Sequence, residues 1–129
     1  MNFKTIIFLL LLTGVSACGD DNGHRVLGEN LTVYYLDSED QKLAEDLAIF
    51  WRDNDLLSNN KQDIQLVKDD SGYQVRIIAF NPKEVNAMPL EERALLLDLQ
   101  KQLNDSLFQN DAELVICNSK FKPIYSINQ

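Results

Sequence analysis

The sequence predicts an α+β domain with a sheet on one layer and two helices on the other. Three observations carry this. Two segments repeat apolar residues at helical spacing. Short runs rich in β-branched and aromatic residues flank and separate them. Within those runs polarity alternates, so each has one apolar side. The elements fall in the order β-α-β-β-α-β-β across residues 31–129.

The first strand is read at Leu31–Leu36, "LTVYYL", for its β-branched and aromatic content. Ser38 followed by Gln41 reads as a capping box opening the first helix, and Glu39 and Asp40 suit a helix N-terminus. Leu43, Leu47, Phe50 and Trp51 form its apolar stripe, and Asp53 and Asp55 place its end between 53 and 57. "SNNKQD" reads as loop. Ile64–Val67 is the second strand, "KDDSG" a turn with Gly72 available for a positive φ, and Tyr73–Phe80 the third strand, broken by Asn81-Pro82. Pro89 is well placed as the first residue of the second helix. Its stripe is Leu95, Leu99, Leu103 and Leu107, flanked by Leu96 and Phe108. Glu113–Cys117 and Phe121–Ile127 are the last two strands, with Pro123 arguing for an edge position.

This order resembles the ferredoxin-like arrangement: a two-layer sandwich with a five-stranded, mainly antiparallel sheet in the order 5-4-1-3-2 and both helices on one face. The core face then carries Val33, Tyr35, Ile64, Leu66, Val75, Ile77, Leu114, Ile116 and Tyr125.

Upstream of this domain the chain opens "MNFKTIIFLLLLTGVSAC". One lysine, a short apolar run and a small-residue end are the parts of a secretory signal peptide. Ile6–Ala17 is 12 residues, against roughly 20 for a membrane span. Val15-Ser16-Ala17-Cys18 resembles the lipobox of bacterial lipoproteins. That resemblance implies a diacylglyceryl group on the Cys18 thiol, cleavage before Cys18, and anchoring in the cell envelope by acyl chains. The alternative is an ordinary signal peptide with a cysteine by chance. A single acyl chain binds a membrane only marginally, whereas two or three on one cysteine hold it stably. The residues after Cys18 resemble lipoprotein sorting signals: in one scheme an aspartate directly after the cysteine means inner-membrane retention, so Gly19 implies the outer membrane, and in another an acidic run such as Asp20-Asp21 implies the outer surface. Residues 1–17 therefore read as signal peptide, 18–30 as acylated cysteine and flexible tether, and 31–129 as the globular domain.

Cleavage would leave 112 residues and remove one charged side chain, Lys4, so the net charge moves from −8 to −9. Nucleic acid demands a basic patch, so it is not an expected partner. Anionic headgroups are disfavoured by the same argument. If Cys18 is acylated, Cys117 has no partner within the chain and reads as a small buried hydrophobe.

Catalytic chemistry is hard to place. The one histidine, His24, falls in the tether, where nothing positions it for nucleophilic catalysis. Histidine and cysteine are too few for a zinc site. Asp53-Asn54-Asp55 resembles the start of a calcium loop but lacks its glycine and closing glutamate. No cofactor and no metal are expected, and the chain reads as non-enzymatic. The less ordinary feature is the sheet face away from the helices. Alternation puts Tyr34, Arg76, Ile78 and Ile124 there, among Thr32, Val67, Gln74, Val115, Lys122 and Ser126. An apolar patch rimmed by basic and amide side chains marks many interaction surfaces. A half-apolar sheet shielded by a loop, or a register slipped by one residue, is the plainer reading. The expectation is a lipid-anchored envelope binding or adaptor module with an envelope protein as possible partner. An immunity or inhibitor lipoprotein acting on a toxin or lytic enzyme is the alternative.

Overall fold

The computed structural model describes residues 23–57, 60–79 and 82–127. The signal segment, the lipobox and Cys18 lie outside the described residues. The elements are β1 (His24–Gly28), β2 (Leu31–Tyr35), α1 (Gln41–Asp53), β3 (Gln62–Asp69), β4 (Gly72–Ile78), α2 (Leu90–Leu103), β5 (Ala112–Cys117) and β6 (Pro123–Ser126). Short 3₁₀ turns, Ser38–Asp40 and Pro82–Ala87, precede the two helices.

The α+β class holds, with both helices packed into one core. The sheet differs from the expected one. It has six strands in sequence order, β1-β2-β3-β4-β5-β6, and it is mixed. Three antiparallel hairpins, β1–β2, β3–β4 and β5–β6, are joined by parallel pairings of β2 with β3 and β4 with β5. The five-stranded antiparallel order 5-4-1-3-2 fails for one physical reason. A strand has two edges, and β1 takes one edge of β2, so β2 cannot sit in the centre between later strands. Residues 24–28, read as tether, are that strand. Asn30 makes the tight turn into β2 at φ 59°, a left-handed position that Asn tolerates.

The helix-side core follows the expected alternation. Val33, Tyr35, Ile64, Leu66, Val75, Leu114 and Ile116 are buried against Ala44, Leu47, Phe50 and Trp51 of α1 and Leu103 of α2, with Ile77 and Tyr125 partly buried beside them. The expected capping box does not form: Asp37, not Ser38, accepts from the Glu39 N–H at 2.9 Å and caps the 3₁₀ turn that leads into α1, while α1 itself starts after Asp40 with no side-chain cap. On α2 the stripe is Leu96, Leu99 and Leu103, while Leu95 is 70% exposed. A π-helical turn at Asn104–Phe108 adds a residue to the last turn and brings Leu107 and Phe108 onto the core side.

That turn also finishes the sheet. β6 is short and covers only the C-terminal half of β5. Asn104 takes over the other half, accepting from the Ala112 N–H at 2.8 Å and donating to the Ala112 carbonyl at 3.0 Å. Gln100 accepts from the Leu114 N–H at 2.8 Å. Backbone groups that an open edge would leave unpaired are thus satisfied by helix side chains.

Candidate functional site

Tyr34, Arg76 and Ile78 lie on the sheet face opposite the helices, and the structure brings them together around Phe121. Asn118 shapes the loop between β5 and β6. Its Oδ1 accepts from the Lys120 N–H at 2.9 Å and the Lys122 N–H at 3.0 Å. The loop holds Phe121 at φ 61°, a conformation uncommon for a bulky residue. The ring lies over Val115 and Cys117 with Tyr34 and Ile78 packed at its margin. Tyr34 meets it edge-on, 5.8 Å between centroids. The Arg76 guanidinium donates to the Phe121 carbonyl at 3.4 Å and to Gln74 Oε1 at 2.9 Å. Much of the expected patch is therefore occupied by the chain's own loop. Ile124 stands apart, 39% exposed, at a register irregularity where β6 meets Cys117.

The two ends of the sheet differ in chemistry. At the end where β1 begins, an open hollow is lined by His24, Asp37, Ser38, Lys68, Asp69 and Asp70. Hydrogen bonds from the Ser71 hydroxyl and then the Ser71 N–H hold the Asp69 carboxyl below its usual range. The opposite end is more apolar, although Asn60, Lys61, Gln62 and Asp63 line one of its clefts and Glu92 the other. There the last residues of β4 and the following Ala79 separate two clefts. One, about 510 Å³, runs between Trp51, the start of β3 and Ile77–Ala79. The other, about 670 Å³, lies between Ile77–Ala79, Val85, Met88 and Leu96. Ile78, one of the residues singled out in the sequence, lines both.

The first cleft holds an anomaly. The Trp51 indole N–H and Asp63 Oδ1 are buried and make no hydrogen bond among the described residues; Trp51 as a whole is only 4% exposed. A buried indole N–H ordinarily finds a partner, and buried carboxylate oxygens are rarely left without one. Trp51 reaches the cleft because α1 ends beside the start of β3. Asp63 reaches it because β3 begins two residues before the expected strand, so "QD" is sheet rather than loop. Sequence reasoning took Trp51 as core and Asp63 as loop. The available signal was the placement of the sole tryptophan at the last turn of a helix.

Other polar groups are internally engaged. Tyr73 donates its hydroxyl proton to Asp40 at 2.8 Å. Burial, then the Asp40 contact, pushes its pKa up to about 12. Burial pushes the Cys117 thiol up to about 11, so it is protonated and inert near neutrality. Among the described residues no three His, Cys, Asp or Glu side chains gather as a metal site. Asn54, inside the calcium-like "DND", donates its side-chain amide to the Phe50 carbonyl at 2.9 Å.

A family model described as the AF_1994_N family N-terminal domain matches residues 25–129. The chain belongs to this family. The match starts within β1, in keeping with the place of that strand in the sheet. No curated protein and no solved structure matches the chain.

Proposed function

We propose that this protein is a lipid-anchored, non-catalytic binding module of the bacterial cell envelope, holding its partner in the apolar clefts at the far end of the sheet. The observation that carries the reading is the polarity of the domain. The chain enters at the acidic end, at His24, while the clefts sharing Ile77–Ala79 open at the other end.

Only five residues separate the lipobox Cys18 from His24. A stretch of that length reaches at most roughly 20 Å, whatever its conformation. Acyl chains on Cys18 would hold the acidic end close to the bilayer, and its carboxylates would be repelled by anionic headgroups. The clefts would then face away from the membrane. Gly19 favours the outer membrane as the site of anchoring.

Two measurements test this. Cys18→Ser should move the protein from the membrane to the soluble fraction of cells. A photo-crosslinking amino acid in place of Ala79 should give a discrete adduct in intact cells, and the same probe at exposed Lys120 should not. A wild-type chain that is soluble and retains Met1 would overturn the anchor. An Ala79 probe with no adduct would overturn the clefts as the binding site.

A further inference from the structure

α2 carries two apolar stripes. Leu96, Leu99 and Leu103 pack against the core. Leu90, Ala94 and Leu97 recur at steps of four and three on the opposite side of the helix, and Lys101 continues the row. Leu90 is 81% exposed and Leu97 40%. A row with that spacing is the seam of a two-stranded coiled coil, in which each apolar position meets a second helix. We propose that a second copy of this chain packs on this row, α2 against α2, parallel and in register.

The charges beside the row select both the occupant and its direction. Glu91 and Asp98 border it on one side, Arg93 and Gln100 on the other. Between parallel helices these unlike borders face each other, and a residue on one meets the residue five further along on its partner. Arg93 of each copy then stands against the partner's Asp98, twice by symmetry. Antiparallel helices would set like borders together, carboxylate against carboxylate. Arg93 also has a contact within its own chain, and Asp98 accepts from Gln102 at 2.7 Å. A guanidinium has five donors and a carboxylate two oxygens, so neither contact closes the pair. A helix that lies in a bilayer carries basic residues beside its apolar stripe, whereas one whole border here is acidic.

The direction also suits the lipid anchor. α2 runs from the end where β4 finishes to the end where β5 begins, and the chain enters the domain at that second end, at His24. Parallel copies enter from the same side, so one bilayer can hold both Cys18 anchors. The pairing itself does not depend on that anchor. Leu90 to Lys101 is twelve residues, about 18 Å of helix, against roughly 20–30 residues a side for a stable interface. The contact is therefore weak in free solution, and confinement to a membrane raises the effective concentration that it needs.

Disulfide crosslinking tests the seam. Leu97→Cys and Leu95→Cys are expressed as full chains, and the cell membranes are treated with copper phenanthroline. Leu95 is the more exposed of the two, at 70%, but it lies off the row. Leu97→Cys should form a disulfide-linked dimer roughly tenfold faster than Leu95→Cys. Leu90→Cys, at the equivalent seam position, should behave like Leu97→Cys. The wild type, with Cys117 buried, should form none. Adding Asp98→Arg to Leu97→Cys sets arginine against arginine and should slow the crosslink several-fold, and a further Arg93→Glu should restore it. Equal rates at positions 95 and 97, or no dimer at either 90 or 97, overturns the inference. A mixture of Ala94→Cys and Leu97→Cys chains that crosslinks faster than Leu97→Cys alone would mean antiparallel helices and overturns it too. Should Cys18→Ser leave the chain in the membrane fraction, the anchor reading falls, while a Leu97→Cys disulfide formed by the purified chain at high concentration still supports the seam.

Discussion

The two faces of the sheet bury apolar surface by different means. On one, two helices contribute whole stripes, and Leu47, Ile64, Leu66, Val75 and Leu114 disappear from solvent together. On the other, a single loop folds one ring, Phe121, over Val115 and Cys117. The first face is a core in which each residue supports many others. The second is a cover held by Asn118, one strained backbone conformation and an arginine. Alternation along a strand fixes which residues share a face, but not how that face is protected. A loop of five residues can close what two layers of regular structure would leave open.

Truncation on the two faces should separate them most. Leu47→Ala removes a fully buried side chain from the helix face and should cost about 2–5 kcal/mol, read from the urea midpoint. Phe121→Ala should cost about 1–3 kcal/mol, below the usual range for a buried phenylalanine, because its cluster is small. The same variant should expose Cys117. In the wild type a thiol reagent should modify Cys117 no faster than the protein unfolds, and in Phe121→Ala it should react from the native state. Equal costs on the two faces, with Cys117 still protected, would dissolve the distinction.

Alkaline titration distinguishes the faces a second way, since each carries one group with a raised pKa. On the other face, Cys117 rises from 9.0 to about 11. On the helix face, Tyr73 rises from 10.0 to about 12. A raised folded-state pKa means that the protonated form is favoured by folding. The Cys117 contribution is therefore complete below pH 9 and lost as pH rises through about 11. The Tyr73 contribution is complete below pH 10 and lost as pH rises through about 12. Cys117→Ala should flatten the stability profile in the lower window and Tyr73→Phe in the upper. Near neutral pH, Tyr73→Phe should cost about 1–3 kcal/mol, because buried Asp40 loses its donor. A profile flat from pH 9 to 12 in the wild type would contradict both assignments.

The same contrast shows what was legible in the sequence. The nine expected core-face positions all lie in or against the helix-side core, because period-two alternation and a one-sided burial demand leave little freedom. Both helices were found from their stripes. The strand order was not legible, since "HRVLG" has one inward apolar residue, Val26, and glycines close by. Its polar composition masked a strand that earns its place through backbone pairing with β2. Of the four sheet-face candidates, Tyr34, Arg76 and Ile78 do converge, but on Phe121 rather than on open solvent. Phe121 itself was read as strand, because nothing in "NSKFKP" announces a left-handed phenylalanine. The unpaired polar atoms of Trp51 and Asp63 come from residues twelve apart in sequence, and only the packing of α1 beside the start of β3 makes them neighbours of one cleft.

The smallest effect should come from the charges that decorate α1 and α2. Lys42 and Asp46 lie one turn apart with Nζ and Oδ1 at 2.7 Å, but their side chains are 80% and 34% exposed. The contact raises the Lys42 pKa through the Asp46 hydrogen bond and charge. In water that attraction is offset by the cost of ordering two long side chains, and by screening when salt is added. Lys101–Asp105 on α2, at 3.0 Å, repeats the pattern. Lys42→Ala should therefore leave the urea midpoint at its wild-type value, and molar salt should change the wild type no more than the variant. A clear loss in Lys42→Ala, abolished by salt, would mean that exposed ion pairs on the helices share the work now assigned to the stripes beneath them. The helix face would then owe its robustness to its surface as well as to its core.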